Sequence, residues 1–164
     1  MVLTWTIGFA YRPGSDPELD AEVLQALLEC YVTINRAWRR RNPKAPLLYN
    51  AGVRYGRVRC PDGSLGPWES TPDAYASRVA DCKVLAAIRV AELREQGVRC
   101  RPVFRTLKLT DPTGRVKKST HILVEKEVPS GILRRTQLAY ECPSAKLGMH
   151  EYFAAQGITA MVLP

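Results

Sequence analysis

Cys82 is the residue whose type and position most favour covalent chemistry in this chain. It follows Asp81 at the start of an apolar segment with a helical pattern, and His121 comes later, inside a predicted strand. A thiol in the first turn of a helix lies at the positive end of the helix dipole, which favours the thiolate, and a nearby imidazolium would favour it further. The order of the two residues therefore predicts a cysteine nucleophile and its general base.

The competing interpretation of both residues is structural. Free cysteine is among the most buried residue types, and most buried thiols are inert packing. A single histidine in a strand is in the same way often a hydrogen-bonded structural residue. Position alone therefore leaves both interpretations of Cys82 and His121 open.

Length and composition predict one domain over residues 1–164, with 46% hydrophobic and 24% charged residues. The five cysteines are widely spaced and include no C-x-x-C pair, which favours reduced thiols in a cytosolic setting. No apolar run reaches the length of a transmembrane helix, and the first residues lack the pattern of a signal peptide. We therefore expect a protein with no membrane partner.

The formal net charge of +8 and the pI near 9.5 keep association with nucleic acid or with a negatively charged protein assembly open. No recognised DNA- or RNA-binding motif accompanies the charge, so solvated surface charge is the alternative. The basic residues fall in four groups: Arg36, Arg39, Arg40, Arg41 and Lys44; Arg54, Arg57 and Arg59; Arg115, Lys117 and Lys118; Arg134 and Arg135.

The N-terminal part of the chain reads as a strand and then a long helix. Alternating apolar residues predict a strand within Leu3–Tyr11, and Asp16-Pro17-Glu18 has the pattern of a helix start. The helix is predicted to end before Asn42-Pro43. Its apolar stripe is expected to consist of Leu19, Val23, Leu27, Cys30, Ile34 and Trp38.

The rest of the chain predicts a helix followed by a meander. A loop-rich segment precedes a short helix from Thr71 to about Arg78, and a largely covered helix runs from Cys82 to just before Gly97. Three strands are expected at Val98–Thr110, Lys118–Val128 and Ile132–Cys142, the first two joined by a turn at 111–114. The predicted fold class is α+β, with the cysteine-bearing helix packed on an antiparallel sheet.

Three segments of the sequence carry a resemblance to a known family. Residues Ala80–Arg94, Thr120–Val124 and Glu141–Met149 resemble the transglutaminase-like, papain-fold cysteine proteins of tailed phages and prophages. In that pattern Gly-Asp-Cys and an acidic residue open the helix, a His begins a strand, and Asp-Pro-Ser follows on the next strand. Trp68-Glu69 resembles a Trp-containing element that precedes the nucleophile in the family.

The resemblance implies a catalytic role for four residues and no cofactor. Cys82 would be the nucleophile and His121 the general base, and Trp68 would be an oxyanion donor beside the Cys82 backbone N–H. The third member falls on Cys142, where the family pattern has Asp. A thiol does not hold the imidazole tautomer or stabilise the imidazolium as a carboxylate does. If Cys142 faces His121, strand alternation predicts that the neighbouring Glu141 faces away.

Two functions from different classes follow. The first is a cysteine hydrolase or acyl transferase that acts on amide bonds. The second is a non-catalytic structural or adaptor component of a phage-like particle, whose basic surface contacts partner proteins or, weakly, DNA. Either would lie in the host cytoplasm or the phage particle, with the oligomeric state left open. A zinc site formed by Cys82, His121 and Cys142 is a third, weaker alternative.

Overall fold

The fold is α+β, as the sequence predicts. The computed structural model of the protein describes residues 17–57, 68–130 and 136–163. The predicted strand at Leu3–Tyr11 therefore lies outside the described residues. The helices are α1 (Pro17–Arg41), α2 (Thr71–Ser77), α3 (Cys82–Glu95), α4 (Pro143–Lys146) and α5 (Met149–Ala154), and the strands are β1 (Arg54–Tyr55), β2 (Val79–Ala80), β3 (Cys100–Thr110), β4 (Val116–Pro129), β5 (Thr136–Glu141) and β6 (Thr159–Val162).

The main sheet is antiparallel and has the strand order β5-β4-β3-β6. Its centre is the long β3–β4 hairpin, closed by the turn predicted at 111–114. The Asp111 carboxylate accepts hydrogen bonds from the Thr113 and Arg115 backbone N–H groups, both at 2.9 Å. Gly114 has a φ of 83°, a backbone conformation that residues with a side chain rarely adopt. This local chemistry explains why the turn was predictable.

Helix α3 is the central helix of the fold, and it packs on the sheet. Asp81 caps its start by accepting a hydrogen bond from the Val84 backbone N–H, and Gly97 follows its end with a φ of 79°. Nearly every residue from Val84 to Leu93 is buried. Ala86, Ala87 and Val90 pack with Ile122 and Val124 of β4 and with the Leu28–Val32 part of α1. The predicted packing of the Cys82 helix on the antiparallel strands is confirmed.

The predicted apolar stripe of α1 is wrong in phase. Leu28, Val32 and Asn35 are the buried residues, whereas Cys30 is exposed and Ile34 is 51% exposed. Asn35 is buried because its side-chain oxygen accepts hydrogen bonds from the Thr71 backbone N–H at 3.0 Å and from the Thr71 hydroxyl at 2.9 Å. A prediction from hydrophobic periodicity treats Asn35 as a surface residue, and it therefore misses the buried face of α1.

Several elements were not predicted. Strands β1 and β2 form a short parallel pair, and β6 adds a fourth strand beside β3. Met149 and Phe153 of α5 are buried against Leu107 and Leu109 of β3. The third predicted strand stops at Glu141, because Cys142 leaves the sheet to start α4. Within the described ranges, no helix has the length and apolar character needed to cross a bilayer.

Candidate active site

The predicted site residues meet where the pairing of β4 with β5 ends. Val124 opposite Glu141 is the last pair of the two strands, and Cys142 follows immediately as the residue before α4. Two residues before this pair, the Ile122 backbone N–H interacts with the sulfur of Cys82, the first residue of α3. A helix start, a strand and a strand end thus bring Cys82, His121 and Cys142 to one region.

His121 is fully buried and contacts Cys142 directly. Its Nε2 lies 3.2 Å from the Cys142 Sγ, and the ring has no other hydrogen bond to any described residue. The Nδ1 is therefore a buried polar atom without a partner among the described residues. Cys142 therefore contacts the imidazole, as the resemblance implies for the third member of a triad.

The Cys142 sulfur has a second function as a helix cap. It accepts a hydrogen bond from the Ala145 backbone N–H at 3.3 Å. Burial raises the pKa of this thiol above its usual value, while the backbone N–H groups of Ala145 and Ser144 lower it in part. A capping position is one at which Asp and Asn side chains also act as acceptors, so the sulfur lies where a carboxylate would fit.

The Cys82 thiol is protonated in this environment. Burial and the negative charge of Asp81 raise its pKa to about 11, and the Ile122 N–H, Lys83 and Arg57 offset only part of this rise. Lys83 forms an ion pair with Asp81, which neutralises part of that carboxylate. The family pattern has an acidic residue where this chain has Lys83, so the helix start differs in charge as well as in sequence.

The His121 imidazole is neutral in this environment. Burial is the main reason that its pKa falls to about 4, and the positive charges of His150 and Arg57 lower it further. No motif in the sequence connects either residue with His121. No spacing rule could have done so, because Arg57 follows β1 and His150 lies in α5. The Cys82 thiol and the His121 ring are therefore both uncharged in the resting protein.

Glu141 faces away from His121, as strand alternation predicts, and binds a cluster of cations beside α3. Arg89 donates a 2.8 Å hydrogen bond to it, and Lys126 and the Tyr49 hydroxyl also bond to it. Burial alone would raise the pKa of Glu141, but these donors outweigh it and lower the pKa to about 2. Glu141 thus anchors the end of β5 beside α3. Cys142, the next residue, contacts the imidazole on the opposite side.

Trp68 packs at the edge of this region. Its ring centroid is 4.9 Å from that of Tyr31, and Tyr31 donates a 2.8 Å hydrogen bond to the Trp68 carbonyl oxygen. Trp68 and Cys82 both pack against the cluster that contains Val90 and Ile122. This packing holds the indole near the start of α3, and its role as an oxyanion donor stays a prediction.

A cleft of about 500 Å³ lies between β1 and the α4–α5 segment. It is lined by Val53, Arg54, Tyr55, Lys146, Leu147, Gly148, Glu151 and Tyr152. Burial and the nearby Cys82 raise the pKa of Tyr55 to about 12, so this wall of the cleft lies within electrostatic range of the thiol. Among the residues that the structure describes, no set of three or more His, Cys, Asp or Glu side chains is arranged to hold a metal ion.

Comparisons with protein-family models, with curated proteins and with solved structures gave no match to this chain.

Proposed function

We propose that the chain is a transglutaminase-like cysteine protein of the tailed-phage type, in which Cys82 and His121 cleave or transfer amide bonds. The observation that carries the proposal is that the two ring nitrogens of His121 have different environments. Nε2 contacts Cys142 at 3.2 Å, and the buried Nδ1 has no hydrogen-bond partner within the part of the chain that the structure describes. The Ile122 N–H interacts with the Cys82 sulfur one residue along the strand. In this proposal Nδ1, the nitrogen that does not contact Cys142, would take the proton from that thiol.

The reaction would begin from neutral groups. As the Cys82 sulfur attacks a carbonyl carbon, its proton passes to Nδ1, and the resulting imidazolium later protonates the leaving amine. The Cys82 backbone N–H at the start of α3 would be a main-chain donor for the oxyanion. Because Cys142 supplies no negative charge, the imidazolium is less stable than in a triad with a carboxylate. We therefore expect slow turnover.

A second candidate function is a non-catalytic structural or adaptor component of a phage-like particle. It is favoured by the two pKa values, about 11 for Cys82 and about 4 for His121, which oppose formation of the reactive ion pair. The net charge of +8 would then serve contacts with acidic partner proteins or with packaged DNA.

The experiment that separates the two functions measures acyl transfer with a matched thiol control. The full chain is incubated with a glutamine-containing peptide and a fluorescent amine, and in parallel with a peptide anilide. Cys82→Ser is expected to abolish both signals, whereas Cys30→Ser, at an exposed thiol on α1, leaves them unchanged. Turnover that survives in folded Cys82→Ser contradicts the catalytic proposal. Folded wild-type protein without turnover supports the adaptor.

A further inference from the structure

The Cys142 sulfur is surrounded by hydrogen-bond donors that suit an anion better than a neutral thiol. The Ala145 N–H points at it from 3.3 Å, the Ser144 N–H also interacts with it, and His121 Nε2 lies 3.2 Å away. The Ser144 hydroxyl is fully buried in the same segment and has no partner among the described residues. A thiol uses these donors poorly because sulfur is a weak acceptor.

We infer that Cys142 is an oxidation site, at which a peroxide converts the thiol to a sulfinate that takes the place of the missing carboxylate beside His121. The consequence for catalysis rests on the function proposed above, whereas the modification itself does not. A sulfinate carries two acceptor oxygens and a negative charge, as the side chain of Asp does. Its oxygens can accept from the Ala145 and Ser144 N–H groups and from a protonated Nε2.

The chemistry requires two equivalents of peroxide. In the first step sulfur attacks one peroxide oxygen, the S–O bond forms, the O–O bond breaks, and the thiol proton leaves with the departing hydroxide as water, giving a sulfenic acid. A second peroxide adds the second oxygen in the same way and releases another water. Sulfur is oxidised and peroxide is reduced in both steps.

The charge created at position 142 acts on a ring that is otherwise held neutral. Among the described residues, the charged or titratable groups that act on His121 are His150 in α5 and Arg57 after β1, both unfavourable to a second positive charge. Cys82, at the start of α3, is itself influenced by Asp81 and Lys83. An anion in contact with Nε2 would stabilise the imidazolium against the unfavourable charges of Arg57 and His150, because an opposite charge at short range favours the charged form.

The other described thiols lack this environment. Cys30 is exposed on α1, and Cys100 donates to the Val90 carbonyl oxygen at 3.7 Å. Cys82 lies beside the carboxylate of Asp81, which disfavours an anionic product there. Only Cys142 among these four combines an imidazole contact with backbone N–H donors, so its sulfinate is the one that we expect to be stabilised.

The test follows oxidation and histidine titration in the full chain. Wild-type protein and Cys82→Ser are treated with hydrogen peroxide, and peptides are mapped by mass spectrometry. The expected product is a gain of two oxygen atoms on Cys142. In oxidised Cys82→Ser, the His121 pKa followed by NMR is expected to rise by at least about one unit. Cys142→Ser treated identically is the matched control, and its His121 titration is expected to stay unchanged.

Three results would overturn the inference. The first is oxidation of Cys30 while Cys142 stays a thiol, and the second is a disulfide between Cys82 and Cys142 in the wild-type protein. The third is a sulfinate on Cys142 that leaves the His121 titration where it was. None of these readouts needs turnover, so failure here is distinct from failure of the acyl-transfer experiment.

Discussion

His121 places its Nε2 3.2 Å from the Cys142 sulfur, and no residue in the described ranges forms a hydrogen bond with its Nδ1. In a working triad the group in the position of Cys142 fixes the ring and stabilises its positive charge. Here the geometry of that contact is kept, whereas the charge is absent. Most of the expected behaviour of the site follows from this difference.

Restoring a carboxylate at position 142 should therefore raise the pKa of His121. In Cys142→Asp we expect the pKa to move from about 4 towards or above its usual value of 6.5, because the carboxylate stabilises imidazolium. Alkylation of Cys82 near pH 6 should become faster in the same variant. Cys142→Asn, which has similar size but no charge, is the control. Equal His121 titration in the two variants would show that charge at position 142 does not reach the ring.

The buried His121 should make stability depend on pH between about 4 and 6.5. The unfolded chain has the ordinary pKa of 6.5 and the folded chain a pKa of about 4, so the unfolded state binds more protons in this interval. Stability should fall as the pH falls from 6.5 to 4, by as much as about 3 kcal/mol for this residue alone. Urea unfolding at pH 7, 5.5 and 4.5 measures this fall in the free energy of unfolding. His121→Gln should remove this part of the slope, and an unchanged slope would refute the assignment.

Glu141 should be more important for folding than a surface ion pair. In Glu141→Gln, Arg89 and Lys126 lose their buried anionic partner, and we expect a loss of about 3–5 kcal/mol in the free energy of unfolding. Glu127→Gln is the matched control, because Glu127 pairs at 4.0 Å with a largely exposed Arg99 and should cost less than about 1 kcal/mol. Similar losses in both variants, measured by urea unfolding, would contradict the buried network.

The same carboxylate should give stability a second, more acidic pH dependence. Its pKa is lowered to about 2 from the usual 4.5, so its contribution is fully present above pH 4.5 and is lost as the pH falls towards 2. The interval lies below that of His121, so the two effects can be separated. Comparing the unfolding free energies of the wild-type protein and Glu141→Gln at pH 5 and pH 3 measures it. A difference that does not shrink at pH 3 would count against the lowered pKa.

The positive charge should produce only weak, salt-sensitive binding to nucleic acid. Arg115, Lys117 and Lys118 are exposed at the tip of the β3–β4 hairpin, and each phosphate that they neutralise should add about 0.9 to the logarithmic salt dependence. Lys117→Ser with Lys118→Ser should therefore flatten this dependence for a generic duplex, measured by fluorescence anisotropy. A submicromolar complex that resists salt would instead favour a DNA-contacting function.

The sequence by itself determined the elements whose signals are local. The cap at Asp81, the end of α3 at Gly97 and the turn at 111–114 depend on neighbouring residues. Alternation along the predicted strand Ile132–Cys142 likewise predicted that Glu141 and Cys142 face opposite sides. The tertiary structure alone decided the phase of α1, where Asn35 is buried because Thr71 satisfies its oxygen.

The tertiary structure also decided the electrostatics of the site. Cys82, His121 and Cys142 could be proposed from sequence order and resemblance. Their protonation depends on burial and on Arg57 and His150, which are distant in the chain from the residues that they affect. A pKa is set by desolvation and by charges within a few ångströms, and neither is encoded by spacing along the sequence.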